Sequence, residues 1–150
     1  NKGAVGLNAL NIAAAKTNLD FIPALVLGTF CNALVCLAVW LCMGARTTGD
    51  KIMAIIFPIS AFVAAGFEHS VANMSFIPVG LFIKSGAPAE FWTTIGQTSA
   101  DFASITWGNF LIANLLPVTL GNIIGGALMV GLVYWFIFLR PSWTGRKNDA

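Results

Sequence analysis

The sequence has very little charge for its length. Only 9% of its 150 residues are Asp, Glu, Lys or Arg, whereas 57% are hydrophobic. Soluble domains carry about 25% charged residues, so this chain cannot cover a globular surface with polar groups. The composition therefore predicts an integral membrane protein that contacts the lipid bilayer. Its net charge of +2 is small and scattered, which argues against a nucleic-acid partner.

The chain also lacks the motifs of several other classes. It begins Asn1-Lys2-Gly3, with no initiator Met and no pattern of a secretory signal, and we expect it to be part of a longer protein. Cys31, Cys36 and Cys42 show no CxxC or zinc-ligand spacing. On one helix Cys31 and Cys42 would lie about 16 Å apart, too far to pair. No nucleophile–base pair is visible, so we expect no enzyme, no metal and no cofactor.

Charge-free runs place the first two membrane spans. The first run predicts a span at about 21–44, long enough to cross a hydrocarbon core of about 30 Å. The second run, 52–83, would measure about 48 Å as one helix, which is too long for one span. Because polar residues lie in its middle, we predict two half-helices, 52–67 and 71–83, with a break at about 67–73.

The last charge-free run, 102–139, is also too long for one span. Pro117 and Gly121 lie inside it, and a proline within a helix removes a hydrogen bond and kinks or breaks the helix. We therefore predict a short helix at about 104–115 and a span at about 118–139. The chain then has three spans, of which the middle one is broken.

Basic residues outside these runs predict the orientation. The 45–51 loop and the 140–150 tail are basic and are separated by two spans, so they should share one side of the membrane. Because basic loops stay cytoplasmic, we predict a multi-pass protein of the cell (inner) membrane with a cytoplasmic C-terminus. The 84–101 connection, on the other side, carries Lys84 against Glu90 and Asp101.

The polar residues of the middle span are concentrated in GFEHSVANM, residues 66–74. Irregular backbone at membrane depth survives only where protein buries it or water lines it, and transporters bind solutes at such breaks. We interpret His69 as a group that handles a small anion in a pore; a structural histidine bonded to a neighbouring helix is the alternative. Phe62, seven residues earlier on the same helical face, is a candidate apolar gate or a packing residue.

Further polar candidates surround His69. Glu68 faces a different side of the helix, and we interpret it as a supporting group rather than a solute ligand. Its expected partners are Lys16, Asn32 or backbone N–H groups. Asn32 lies in the middle of the first span and needs an interhelical partner, because a lone amide is costly in lipid. Asn73 lies within the predicted break.

Small residues in the last span predict close helix packing. Gly121 and Gly125 form a GxxxG step, and Ala127 and Gly131 repeat the spacing. Small residues let helix backbones approach closely in lipid. We expect this segment to pack against a neighbouring helix or subunit.

Three segments together resemble one known family, the formate/nitrite transporters. GFEHSVANM resembles the family's central-histidine motif, NLLPVTLGNIIGG resembles the motif that opens its last helix, and CNALVCLAVW is similar to its fourth helix. The likeness covers nearly the whole chain and is strongest for the formate channels. It implies an aquaporin-like fold of six spans in two inverted repeats, of which this chain is the second. It also implies a homopentamer with a pore in each protomer.

The resemblance implies roles for individual residues. His69 matches the family's pore histidine, and Phe62 and Val35 match residues of the two apolar constrictions on either side of it. Polar residues that hold or polarise the histidine and attract anions are matched by Lys16, Asn32, Glu68 and Asn73. Part of the family's filter, including a mobile loop with its threonine, belongs to the first repeat and lies outside this chain.

These roles predict a mechanism for formate and similar small anions. An anion passes an apolar ring at high cost, whereas a neutral acid passes at far lower cost. Lys16 would draw formate into the vestibule, and His69 would bind it as an imidazolium or give it a proton. A histidine, with an unperturbed pKa of about 6.5, would make the flux respond to pH. The alternatives are a nitrite or hydrosulfide channel of the same family, or a haem-bearing membrane subunit with Met74 as second axial ligand.

Overall fold

The computed structural model describes residues 3–139, which fold into helices without strands. This agrees with the all-α prediction. The elements in chain order are α1 (Ala4–Thr17), α2 (Phe21–Gly44), α3 (Thr48–Ala64), α4 (Ser70–Gly86), α5 (Ala89–Ile95), a 3₁₀ turn (Ser99–Phe102) and α6 (Asn109–Leu139). Of these, α2 and α6 are long and apolar enough to cross a membrane, with mean hydropathies of 2.2 and 2.0.

A break interrupts the middle helical segment, slightly earlier than predicted. α3 ends at Ala64 and α4 begins at Ser70, so the non-helical residues are 65–69 rather than 67–73. Gly66 has a φ of 66°, a left-handed conformation that glycine adopts more readily than other residues. The chain therefore leaves α3 at the glycine, before it reaches the polar residues.

α6 is one continuous helix, not the predicted short helix followed by a separate span. Its first part, Asn109–Leu115, has wide π-type turns, and the backbone N–H of Leu116 bonds to the carbonyl of Leu111, five residues earlier. Pro117 follows inside the α-helical stretch Leu116–Ile123. Proline cannot donate a backbone hydrogen bond and crowds the preceding turn, and the wider turn accommodates it.

α2 packs closely against α6 through glycines, as the GxxxG step predicted. A Cβ at Gly121 would overlap the backbone oxygen of Leu25, and one at Gly125 would overlap that of Thr29. From the other side, a Cβ at Gly28 would come within 2.8 Å of the Val118 oxygen. The Ala127–Gly131 repeat is different, because a Cβ at Gly131 would meet only its own helix. A neighbour for that second step stays a prediction.

The buried apolar core lies between α1, α4 and the start of α6. Leu10 and Ala13 of α1 pack with Ile77 and Leu81 of α4, and the chain before and within α6 covers them with Phe102, Ile105 and Phe110. A Cβ at Gly80 would overlap that of Ala13. This core holds α1 against the half-helix α4, and so places Lys16 next to the break.

The loop before α3 ends in a capping box. The Thr47 backbone N–H donates to the Asp50 carboxylate at 3.0 Å, and the Asp50 N–H donates to the Thr47 hydroxyl at 3.1 Å. Hydrogen bonds from the side chain and then the backbone of Thr47 lower the pKa of the Asp50 carboxyl below its usual value. The predicted cytoplasmic tail, 140–150, lies outside the described residues.

Candidate functional site

The break between α3 and α4 presents a histidine at the start of α4. The Phe67 N–H donates to the Phe62 carbonyl at 3.0 Å and so closes α3. His69 is the N-cap residue of α4 and has an extended backbone. Its Nδ1 accepts a hydrogen bond from the Val71 backbone N–H at 3.3 Å. An accepting Nδ1 carries no proton, so the ring proton lies on Nε2, which can donate.

Asn122 of α6 holds the backbone on both sides of His69. Its Oδ1 accepts a hydrogen bond from the Ser70 N–H at 3.0 Å, and its Nδ2 donates to the Glu68 carbonyl at 3.1 Å. The same Nδ2 donates to the Gly28 carbonyl of α2 at 2.9 Å. Backbone groups in a broken helix need such partners, because burying them unpaired is costly. Asn122 therefore fixes the break against two neighbouring helices.

The Glu68 side chain is the centre of a buried polar network. It is 4% exposed, and its Oε1 lies 2.8 Å from the Lys16 ammonium. Its Oε2 accepts hydrogen bonds from Asn73 Nδ2 at 2.6 Å and from Asn114 Nδ2 at 3.4 Å. The interpretation of Glu68 as a supporting group bonded to Lys16 agrees with these contacts.

Asn32 has the interhelical partner that its position in α2 requires. Its Nδ2 donates to the Asn122 backbone carbonyl at 2.6 Å, and this bond adds to the glycine contacts between α2 and α6. Asn32 was one of the partners expected for Glu68, but the hydrogen bonds of Glu68 go to Lys16, Asn73 and Asn114 instead. The amide group instead stabilises the helix pair that carries Asn122.

Asn114 and Asn122 belong to the site, although they were not among the site residues predicted from the sequence. Asn114 is fully buried; its Oδ1 accepts from Asn73 Nδ2 at 2.7 Å, and its Nδ2 donates to the Lys16 carbonyl at 2.9 Å. The available signal was an amide in an apolar helix, the same signal that selected Asn32. What the sequence did not show is that both amides point at the break, which precedes them by more than 40 residues.

A cavity of about 520 Å³ opens beside the break. His69, Glu68 and Lys16 contribute polar groups to its wall, and aromatic rings contribute the apolar part. The Lys16 ammonium lies 5.8 Å from the centroid of the Phe76 ring. The cavity therefore combines donors suited to a small anion with an apolar surface that discourages a fully hydrated one. Its lining includes Lys16, Phe62, Glu68, His69, Asn73 and Phe76.

Five of the seven predicted site residues meet at this cavity, and two lie apart from it. Val35, on α2, is partly buried and does not line the cavity, and neither does Asn32. Met74, the residue named in the haem alternative, is 51% exposed and also lies off the cavity wall. Among residues 3–139 no group of three or more His, Cys, Asp or Glu side chains could hold a metal ion.

A family model and two curated relatives match most of the chain. A family model described as formate/nitrite transporter matches residues 1–136. The chain is 49% identical over 140 residues to the formate channel FocA of Escherichia coli strain K12, a match that covers 93% of this chain and 49% of the relative. It is 44% identical over 137 residues to the formate channel FocB of the same strain, covering 91% and 49%.

The likeness extends to solved structures. A structure described as a pentameric formate channel with formate bound superposes with a TM-score of 0.88 and 47% identity, covering 93% of this chain and 55% of that one. An FNT family ion channel superposes with a TM-score of 0.70 and 34% identity, covering 86% and 45%. The chain thus spans about half the length of the relatives that it matches.

Proposed function

The chain belongs to the formate/nitrite transporter family, and from this premise we propose that it is the C-terminal half of a membrane channel for formate and similar small monovalent anions. The family is one of transporters, in line with the expectation of a channel rather than an enzyme. The observation that carries the proposal is the cavity at the helix break, where His69 and Lys16 offer hydrogen-bond donors next to aromatic rings.

The assembly and topology belong to the same proposal. The complete protomer has six spans in two inverted repeats of an aquaporin-like fold, and this chain is the second repeat. Five protomers assemble, as in the related structure described as a pentameric formate channel. The protein lies in the cell (inner) membrane with its C-terminus in the cytoplasm. Val35 and Phe62 form apolar constrictions on either side of His69.

An anion in the cavity would meet a weakened positive charge. The Lys16 ammonium attracts formate, but the Glu68 carboxylate at 2.8 Å already balances most of its charge. A channel needs binding that is favourable enough for entry and weak enough for exit. The ion pair therefore lets Lys16 donate to the anion without trapping it.

His69 then supplies the proton-linked step. In the observed conformation Nε2–H can donate a hydrogen bond to a formate oxygen. When the ring carries a second proton, the imidazolium gives one proton to formate, which leaves neutral imidazole and formic acid. The neutral acid passes the apolar ring of Phe62 at lower cost than the anion. A second proton from the aqueous side restores the imidazolium.

The test is pH-resolved formate flux into liposomes that hold the full-length protein. Wild type should conduct formate with a rate that changes between about pH 5 and pH 8, and His69→Ala should lose that change. Met74→Ala, an exposed substitution on the same helix, is the matched control and should behave like wild type. Added nitrite as competitor tests the choice of anion within the family.

Two outcomes would contradict the proposal. If the protein conducts nitrite or hydrosulfide but no formate, its substrate is another anion of the same family. Formate flux with an unchanged pH response in His69→Ala would return that histidine to a structural role. An absorbance scan for haem in the same preparation addresses the remaining alternative.

A further inference from the structure

A second cavity, of about 380 Å³, lies at the far end of α4, away from the break. Its wall combines one cation, three hydroxyl side chains and two large aromatic rings. Phe82 and Trp107 are 64% and 52% exposed, and their rings meet edge to face at 6.1 Å between centroids. The polar members of the wall are Lys84, Ser85, Ser99 and Thr106.

This cavity shares no lining residue with the cavity at the break. With 100° of rotation per helical residue, Phe82 lies roughly 180° around α4 from Asn73, which lines the cavity at the break. Lys84 lies only about 20° around the helix from Asn73, but roughly 16 Å further along its axis. The aromatic side of the second cavity therefore turns away from the pore, toward lipid or a neighbouring protomer.

Lys84 is a partly buried cation without a carboxylate partner. Its Nζ donates to the Ile105 backbone carbonyl at 3.0 Å, which uses one of its three donors. In residues 3–139 the one ion pair joins Lys16 to Glu68, so the cation near the break is balanced and Lys84 is not. A partly desolvated ammonium with free donors is a site for an anion.

The depth of Lys84 matches the headgroup region of a bilayer. It lies about 21 Å along the helix from Ser70, at 1.5 Å per residue. With the break near the midplane, as in the proposed function, that distance passes the half-thickness of the hydrocarbon core, about 15 Å, and reaches the headgroups. Tryptophan is enriched at this depth because its ring is apolar and its N–H is polar, and Trp107 lies beside Lys84 in the cavity.

We propose that this cavity binds the phosphate of an anionic phospholipid of the outer leaflet. The Lys84 ammonium and the hydroxyls of Ser99 and Thr106 hold the phosphate, since the Ser85 hydroxyl already donates to the Leu81 carbonyl. The acyl chains lie over Phe82 and Trp107. Basic pockets between membrane helices bind anionic headgroups in this way. The charge complementarity at Lys84 selects the anionic lipid over a zwitterionic one.

Native mass spectrometry of the full-length protein tests the site. Phosphatidylglycerol and phosphatidylcholine are titrated separately into wild type, Lys84→Gln and Lys51→Gln. Lys51 is an exposed lysine at the opposite end of the helices and is the matched control. Wild type and Lys51→Gln should bind phosphatidylglycerol more tightly than phosphatidylcholine, and Lys84→Gln should bind phosphatidylglycerol about fivefold more weakly.

A second measurement keeps the test independent of how Lys84→Gln folds. Phosphatidylglycerol with brominated acyl chains should quench more tryptophan fluorescence in wild type than in Trp107→Phe. Equal binding of the two lipids by wild type would overturn the proposal, as would an unchanged preference in Lys84→Gln. If the brominated lipid does not quench Trp107, a neighbouring protomer covers the cavity. If inorganic phosphate competes completely with the lipid, the cavity binds a free anion. Either result overturns the lipid site.

Discussion

At the scale of single residues, Asn122 replaces the hydrogen bonds that a continuous helix would make for itself. It accepts from the Ser70 N–H and donates to the Glu68 carbonyl, so the two peptide groups that flank His69 are held by one amide. Its third bond, to Gly28, fixes that amide to α2. The position of His69 thus depends on a residue that lies 53 positions further along the chain.

Replacing the Asn122 amide should both destabilise the protein and alter the pH dependence of formate flux. Asn122→Ala removes three hydrogen bonds, each worth about 0.6 kcal/mol in membrane proteins, so we expect a loss of roughly 2 kcal/mol of stability. The pH profile of formate flux should shift or flatten, because the backbone around His69 is released. Asn11→Ala, on an exposed position of α1, is the control and should change neither thermal unfolding in detergent nor the profile. A destabilised protein with a wild-type pH profile would show that Asn122 does not position His69.

A polar side chain in an apolar run predicts that a partner exists, but not which partner it is. Glu68 was expected to bond Lys16, Asn32 or backbone N–H groups, and of these the structure shows Lys16. The roles of Asn114 and Asn122 depend instead on how helices far apart in sequence rotate toward each other. Amide side chains serve equally well as links between helices or as supports for a break, so the pattern did not distinguish these roles.

At the scale of helices, the contact between α2 and α6 leaves no room for a side chain at its glycines. Gly121 and Gly125 lie against the backbone oxygens of Leu25 and Thr29, which cannot move aside as a flexible side chain would. Because α6 also carries Asn114 and Asn122, this contact determines where both amides lie. Packing of two helices therefore controls the geometry of the break.

A single methyl group at this contact should be costly. Gly125→Ala is expected to lower stability by about 1–3 kcal/mol through overpacking, and to reduce formate flux because α6 is displaced. Gly44→Ala is the matched control, since a Cβ at Gly44 would meet no atom within 4 Å. Thermal unfolding of both variants in detergent gives the comparison. Equal midpoints for the two variants would show that the helices separate easily.

The helices themselves were predictable from charge-free runs, but their boundaries were not. The run 52–83 was too long for one span and is broken. The same argument failed for 102–139, because α6 begins later and the π-type turns before Pro117 accommodate that proline within one helix. Length in residues measures length in space only when the helix type is known. Whether these helices span the bilayer at the predicted residues stays a prediction.

At the scale of the whole molecule, the distribution of charge predicts which end faces the cytoplasm. In a full-length protein without other cysteines, Arg46→Cys and Glu90→Cys each place one thiol at an exposed position on opposite ends of the helices. A membrane-impermeant maleimide should label Glu90→Cys in intact cells and Arg46→Cys only in inverted vesicles, because basic loops stay inside. The reverse pattern would invert the proposed orientation and would move the phospholipid site to the inner leaflet.

The whole-molecule architecture could be predicted only through the resemblance to a family. Composition indicated a membrane protein and the helix break indicated a solute site. Nothing in the residues alone implied two inverted repeats or a number of subunits. Those features depend on surfaces that this chain contributes only in part, since it spans about half the length of its relatives.

The hydrogen bond between the Val71 N–H and His69 Nδ1 couples ring chemistry to helix stability. Nδ1 of the imidazole caps the first turn of α4, while Nε2 is the nitrogen that the proposed function assigns to the anion. A proton that arrives at Nδ1 would remove the acceptor of this capping hydrogen bond. If His69 gains and loses a proton as proposed, the first turn of the half-helix would loosen and re-form in each cycle. The mobility of that turn should then rise when the imidazole is charged and fall when it is neutral.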